Sequence, residues 1–366
     1  MRMENPYMLR ALELATLGRG HVSPNPMVGC VIVHDRKGQV SPPFGRIIGE
    51  GWHERYGEAH AERNAIRSVR PEDAHLLAES TAYVTLEPCS HYGKQPPCAD
   101  LLIERTIGRV VCCNDDPNPL VAGQGFARLR AAGIQVETGI LNAYGRQVNA
   151  RFFTFFEKKR PYIILKWAET TDGFMGGEGG KPVKISGDLS HRLVHRWRSE
   201  EDAIMVGTQT ARNDNPRLNT RLWPGKNPVR IVFDRNLTLP LDLHLFDGSQ
   251  PTIVYHEVER MKEQTGVPDR SEIRQIQPIY AITSSLHYTV QDLYQRNIQS
   301  VLVEGGATLL QSFIDERLWD EMRVFRSPSL LGKGVKAPVV QGALVSREQI
   351  GEDELSMYQP TTEPGP

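Results

Sequence analysis

The chain has 366 residues, 39% of them hydrophobic, enough for two domains with ordinary apolar cores. Its 43 Lys and Arg stand against 44 Asp and Glu, so the formal net charge of −1 offers no electrostatic footprint for nucleic acid. No run approaches the roughly twenty apolar residues of a membrane span, and Met1 to Tyr7 lacks the apolar core of a signal peptide; a soluble, cytoplasmic protein is expected.

In chain order, apolar period and Gly, Pro and Asp punctuation predict an α/β sandwich between Met8 and Gly139: helix, strand, strand, helix, strand, helix, strand, helix, strand. Ala61 to Val69 reads as an amphipathic helix, with Ala61, Ala65, Ile66 and Val69 on one face. His60 stands at its start and Glu62 in its first turn, where the macrodipole favours a carboxylate. Ala82 to Leu86 reads as a strand ending at Glu87-Pro88, so Cys89 falls at the carboxyl end of a sheet strand, where α/β sites collect.

These residues form a split cluster: His60-Ala61-Glu62, then Pro88-Cys89 and Pro97-Cys98. One imidazole and two thiols can hold zinc and leave a fourth position for water, with Glu62 close enough to move protons. H-x-E followed by P-C-x-x-C is the signature of zinc nucleobase deaminases, with the glutamate as acid and base and not as a ligand. Here the gap between the two cysteines is longer than that signature allows, and a lone His-x-Glu is also compatible with an ordinary helix start. Both cysteines nevertheless lie beside prolines in a polar loop, where apolar packing seldom explains a thiol. Cys30, Cys112 and Cys113 sit in apolar strands and read as core thiols; the odd total argues for a reducing compartment.

From Asn142 to Lys159 a helical stretch carries Phe152, Phe153, Phe155 and Phe156, whose aromatic surface reads as packing. The domain division is drawn here, at 1–148 and 149–366. The second half opens with the apolar strand Pro161 to Ala168 and the glycine-rich run Asp172 to Gly180. Helix Ser190 to Ser199, strands Ala203 to Val206, Val229 to Phe233 and Thr252 to Tyr255, helix Val290 to Arg296 and strand Val301 to Glu304 follow. Gly305-Gly306 then leads into the helix Ala307 to Leu318, a turn that lets backbone amides approach a phosphate, though a plain tight turn reads the same way. No G-x-G-x-x-G is present, so the dinucleotide fingerprint is absent. Glu352 to Pro366 reads as a polar, mobile tail.

Taken together these segments resemble the bifunctional deaminase-reductase family of riboflavin biosynthesis over nearly the whole chain. In the first half the resemblance is carried by Ser23 to Gly29, Gly49-Glu50-Gly51-Trp52-His53, His60-Ala61-Glu62, Val84 to His91, Pro96-Pro97-Cys98 and Asp116 to Gly123. In the second it is carried by Leu165-Lys166, Thr171-Asp172-Gly173, Asp202 to Thr208, Asp214 to Leu218 and Val303 to Gly306. It implies a cytidine-deaminase-like three-layer zinc domain followed by a dihydrofolate-reductase-like α/β domain. It also implies one Zn2+ on His60, Cys89 and Cys98, Glu62 as proton carrier, and Asn25 on the pyrimidine edge. For the reductase it implies a phosphoribosyl pyrimidine held by Arg198, Leu218, Arg221 and Glu304, and NADPH lined by Ala168, Thr210, Asp214, Gly305, Gly306, Ala307, Thr308 and Leu309. A homo-oligomer, dimer or tetramer, goes with it. The family tolerates the long cysteine gap. Lys184 stands where many relatives have a tryptophan, Gln124 where a basic residue is frequent, and Gln95 where threonine is usual. Two other readings compete: a deaminase whose second domain binds a phosphosugar without reducing it, and a nucleic-acid deaminase, which the balanced charge opposes.

Overall fold

The computed structural model describes residues 5–34, 45–93, 96–119, 121–258, 278–283 and 285–361; Gln95 lies outside them. The chain divides between Lys159 and Arg160 into two units. That point is later than 148/149, because the helix Ala150–Lys158 buries Phe152 and Phe153 beside Leu86 of the first unit's sheet.

The first unit follows the expected order. Helix α1 (Pro6–Thr16), strands β1 (Gly29–His34) and β2 (Arg46–Trp52), helix α2 (Ala61–Ser68) and strand β3 (Ser80–Leu86) come first. Helix α3 (Cys98–Glu104), strand β4 (Arg109–Asn114), helix α4 (Gln124–Ala131), strand β5 (Gln135–Glu137) and helices α5 (Asn142–Val148) and α6 (Ala150–Lys158) complete it. The sheet order is β2-β1-β3-β4-β5. Successive side chains of a strand face opposite sides of a sheet, and both sides are apolar here. Cys30, Ile32, Ala82, Val84 and Val110 pack under Ala61, Ala65, Leu102 and Leu129 of α2, α3 and α4. Val31, Val33, Tyr83 and Val111 pack under Met8, Leu12 and Val148 of α1 and α5. The result is three layers, with Cys30, Cys112 and Cys113 buried as core thiols.

The second unit begins with β6 (Tyr162–Thr170), β7 (Phe174–Gly176), α7 (Asp188–Glu200), β8 (Ala203–Gly207), α8 (Thr208–Asp214) and β9 (Val229–Phe233). It continues with β10 (Thr252–His256), β11 (Ile279–Ile282), α9 (Leu286–Gln295), β12 (Ser300–Val303) and α10 (Ala307–Asp315). It closes with β13 (Glu321–Ser327), β14 (Val335–Lys336), β15 (Ala343–Ile350) and β16 (Asp353–Gln359). One sheet runs β11-β10-β9-β8-β12-β6-β13-β16-β15, parallel as far as β13 and antiparallel through β16 and β15. Parallel strands need both faces covered. Ile163, Leu165, Met205, Ile231, Val301 and Val303 pack against Leu293 of α9 and Leu310 and Phe313 of α10. Ile204, Val206, Val232 and Val254 form the other face with Leu239, Leu243 and Phe246.

The carboxyl end corrects the expected tail. Residues 353–359 form β16 inside the sheet, with Asp353 and Leu355 buried. The Asp353 carboxylate accepts hydrogen bonds from Gly187 N at 2.7 Å and Ser190 Oγ at 2.5 Å, which satisfies its charge below the surface. Residues 362–366 lie outside the described residues. Among the described residues no helix is long and apolar enough to cross a membrane.

Candidate active sites

Three elements of the first unit converge on one point. His60 is the residue before α2, Cys98 opens α3, and Cys89 follows β3 by way of Glu87-Pro88. His60 Nδ1 lies 3.4 Å from Cys98 Sγ and 3.6 Å from Cys89 Sγ. All three donor atoms fall within 4.8 Å of one another, the one such His, Cys, Asp or Glu cluster among the described residues. Zinc bond lengths of about 2.3 Å to sulfur and about 2.1 Å to nitrogen, at a tetrahedral angle, set nitrogen and sulfur roughly 3.6 Å apart. The donors therefore fit a zinc ion in both chemistry and spacing.

The charges suit a cation as well. Cys98 N donates to Cys89 Sγ at 3.3 Å. The Cys98 thiol bonds the same sulfur and, with the His60 ring assisting, holds Cys89 down at about 4 despite burial. Of the two sulfurs, Cys89 is therefore the one that favours the thiolate form. A hydrogen bond to Cys89 raises the His60 pKa above the ordinary range, so a metal that binds Nδ1 displaces a proton from that ring. Glu62 is 3% exposed, and burial raises its pKa, with the Cys89 charge adding to the effect. A carboxyl group moved toward neutrality takes and returns protons readily.

Asn25 reaches this site through a histidine that sequence reasoning passed over. Asn25 Nδ2 lies 3.2 Å from His53 Nε2, and His53 Nδ1 lies 3.1 Å from Ala59 O. The His53 and His60 rings meet edge to face with centroids 5.2 Å apart. Burial lowers the His53 pKa, which favours the neutral ring. Its signal in the sequence is the Gly49-x-Gly51-x-His53 spacing at the end of β2. Asp116 was likewise missed as a site residue; burial pushes its carboxyl up to about 6. Glu87, between strand and ligand, is buried and accepts Gly123 N and Gly125 N at 2.9 Å, which pins the Cys89 loop to the start of α4.

In the second unit a cavity of about 800 Å³ runs along the carboxyl ends of the strands. Ala168, Thr210, Asp214, Glu304 and the turn Gly305 to Leu309 all line it, and Lys184 does too. Gly306 has φ 82°, and side chains at Gly305 and Gly306 would press on Thr210 at 3.3 and 3.4 Å. Those contacts are tight and not forbidding; the positive φ is what favours bare backbone at this turn. With the amino terminus of α10 behind it, this turn suits a diphosphate, and the cavity fits a dinucleotide.

Glu304 lines the cavity. Its carboxylate takes Arg198 Nε and Nη2, each at 2.7 Å, and Arg198 Nη1 donates to Asn219 O at 3.2 Å. Burial alone would raise the Glu304 pKa, but Arg198 outweighs it and the net shift is downward. Arg221 Nη1 bonds Asn219 Oδ1 at 3.0 Å; burial and the charges of Arg198 and Arg217 lower its pKa. Lys166, an isolated charge within the apolar run of β6, lines the same cavity and was also missed. Loss of hydration lowers its pKa. Arg198 and Arg221 are thus brought to one place with Glu304. The Leu218 side chain is not: it is 2% exposed and packs in the core beside Ile204 and Val232.

A sheet carrying a His, Cys, Cys and Glu cluster, joined to an α/β unit with a dinucleotide-sized cavity, defines a zinc deaminase coupled to a reductase. Residues 1–114 match the cytidine and deoxycytidylate deaminase zinc-binding region, and residues 161–356 match the RibD C-terminal domain. The riboflavin biosynthesis protein RibD of Actinobacillus pleuropneumoniae is 39% identical over 96% of this chain and 94% of its own. That of Escherichia coli K12 is 34% identical over 90% and 89%. Among solved structures, the Thermotoga maritima diaminohydroxyphosphoribosylaminopyrimidine deaminase/5-amino-6-(5-phosphoribosylamino)uracil reductase aligns with TM-score 0.83 at 36% identity, covering 97% of this chain and 98% of that one. Acinetobacter baumannii RibD aligns with TM-score 0.84 at 34% identity, covering 98% of each. The chain belongs to the riboflavin biosynthesis protein RibD family, the bifunctional deaminases and reductases of riboflavin biosynthesis.

Proposed function

We propose that the two units act in succession on one phosphoribosylated pyrimidine. The first, Met1–Lys159, deaminates 2,5-diamino-6-(5-phosphoribosylamino)pyrimidin-4-one; the second, Arg160–Pro366, reduces the ribosyl chain of the product to give 5-amino-6-(5-phosphoribitylamino)uracil. The observation that carries this reading is the convergence of His60, Cys89 and Cys98 within 4.8 Å beside buried Glu62, in a chain that also holds the reductase cavity.

His60, Cys89 and Cys98 hold the zinc, and Ala168, Thr210, Asp214 and Gly305 to Leu309 hold NADPH. Zinc supplies Lewis acidity that lowers the pKa of a water, and NADPH supplies hydride. As the water's oxygen adds to the ring carbon that bears the amine, Glu62 takes the water's proton and passes it to the adjacent ring nitrogen; the remaining hydroxyl proton then goes by way of Glu62 to the amine, and the C–N bond breaks to release ammonia. Its burial supports that role, since a proton carrier works best with a pKa near the working pH. Asn25, steadied by His53, binds the pyrimidine edge. Arg198 and Arg221 bind the substrate phosphate, with Glu304 holding Arg198 in place and meeting the sugar. Leu218 contributes through its backbone, its side chain being in the core. The protein works in the cytoplasm, where five free cysteines and a thiolate metal site stay reduced, and as a dimer or tetramer.

The test is to give purified protein the diaminopyrimidine phosphate and measure ammonia release, NADPH oxidation and bound zinc together. Both signals are expected, with about one zinc per chain as one Cys2His site dictates. Ammonia without NADPH oxidation would mean a second unit that binds the phosphosugar without reducing it.

A further inference from the structure

The cavity follows the sheet order at its rim. Lys166 and Ala168 stand at β6, Glu304 and the glycine turn after β12, Thr208 after β8, Arg235 after β9 and Glu257 after β10. Neighbouring strands lie roughly 4.8 Å apart, so β9 is about 10 Å from β12. If the diphosphate lies on Gly305-Gly306 and the reacting end beside Glu304, the adenosine end lies toward β9 and β10. Arg235 then stands where an adenosine ribose would come.

Arg235 Nε is 3.2 Å from Glu257 Oε1, with side chains 70% and 46% exposed. Glu257 N also donates to Arg235 O at 2.9 Å, so the backbone holds the two residues side by side. As a stabilising contact such an exposed pair is worth about 0–1 kcal/mol. Its partner is therefore readily exchanged. A phosphate dianion offers a guanidinium stronger, bidentate hydrogen bonds than a solvated carboxylate does. In Rossmann dinucleotide sites, whose glycine fingerprint this chain lacks, an acid takes a ribose 2′-hydroxyl and a nearby arginine accommodates a 2′-phosphate; the chemistry of that choice carries over, the position does not. This rim carries one of each, tied together.

Resting on the reductase reading above, we infer that Arg235 is the residue that selects NADPH over NADH. Its guanidinium leaves Glu257 for the 2′-phosphate of the bound cofactor. Glu257 masks the arginine in the free protein and, with Arg235 gone, is a bare carboxylate that repels the 2′-phosphate.

Calorimetric titration of the full chain with NADPH and NADH, and with adenosine 2′,5′-bisphosphate and adenosine 5′-monophosphate, tests this without relying on turnover. Wild type is expected to bind the 2′-phosphorylated member of each pair more tightly. Arg235→Ala should weaken NADPH by about ten- to hundredfold, the size of a charge-assisted hydrogen bond, and change NADH by no more than about fivefold. Glu257→Gln should bind NADPH at least as tightly as wild type, and combining it with Arg235→Ala should recover part of the lost affinity. Arg235→Lys, keeping the charge without the fork, should fall between, and the thermal unfolding transition of the second unit reports that each variant is folded. Equal weakening of both cofactors by Arg235→Ala, no weakening of NADPH, or weaker NADPH binding in Glu257→Gln would each overturn the assignment. A wild type that binds both cofactors alike removes this inference alone; one that binds neither removes the reductase reading beneath it.

Discussion

Burial acts in opposite senses on two titratable residues, Glu62 and His195. It raises the carboxyl pKa of Glu62, because the charged form loses hydration. Replacing it by alanine is expected to lower the deamination rate by roughly 10²–10⁴-fold while zinc content and reduction of the deaminated intermediate persist. Loss of zinc from the variant, read by metal analysis, would show Glu62 to be a ligand instead. His195 lies in α7, 3% exposed; burial, then the charges of Arg198 and Arg221, push it down from 6.5 to about 4. The unfolded chain therefore takes up a proton near pH 6.5 that the folded chain refuses until about pH 4. Stability is full above pH 6.5 and falls as pH drops through that window, by up to roughly 3 kcal/mol. His195→Gln removes that uptake, so its Tm should decline less than that of wild type between pH 6.5 and pH 4.5; equal declines would refute the linkage. The zinc cluster was legible at this scale because its residue types are chemically distinctive. His53 and Lys166 were not singled out, because a lone His or Lys acquires meaning only from its neighbours.

Helix α2 owes its place to glycines in β2. A side chain at Gly51 would come within 2.3 Å of Ala65 N and 2.6 Å of Asn64 C, and one at Gly49 within 2.5 Å of Ala65 O. Helix backbone lies directly on strand backbone, and this close approach carries His60 and Glu62 to the site. Gly51→Ala is expected to destabilise the first unit by about 1–3 kcal/mol or more, since the obstacle is main chain and cannot turn aside. Deamination should fall while NADPH oxidation on the deaminated substrate continues. An unchanged thermal transition with full ammonia release would contradict this account. Elements with clean apolar patterns, such as β1, β3, β9 and α2, were legible in the sequence. β16 was not: Asp353 and Glu354 look like solvent residues until Gly187 N and Ser190 Oγ are brought to Asp353. β15 was missed for a related reason, since as an edge strand it is exposed over most of its length and shows no buried face.

For the molecule as a whole, two chemistries reside in two units with separate cores. Chelation of zinc should therefore abolish ammonia release and leave NADPH-dependent reduction of the deaminated intermediate near its original rate. Parallel loss of both activities on adding chelator, restored together by zinc, would show that the second unit depends on the metal. By itself the sequence pointed to the donor set His60, Cys89 and Cys98, to Glu62 as a candidate proton carrier, to the two-part α/β plan and to the glycine turn, because residue type and motif carry each of them. Only the tertiary structure decided that His60 Nδ1 and the two sulfurs meet within 4.8 Å, that Arg198 is bound by Glu304, that Leu218 turns into the core, and that Arg235 and Glu257 share the cavity rim. Each of those facts joins residues distant in sequence or depends on which face of an element turns inward. Sheet order and burial set such relations, and local pattern does not encode them.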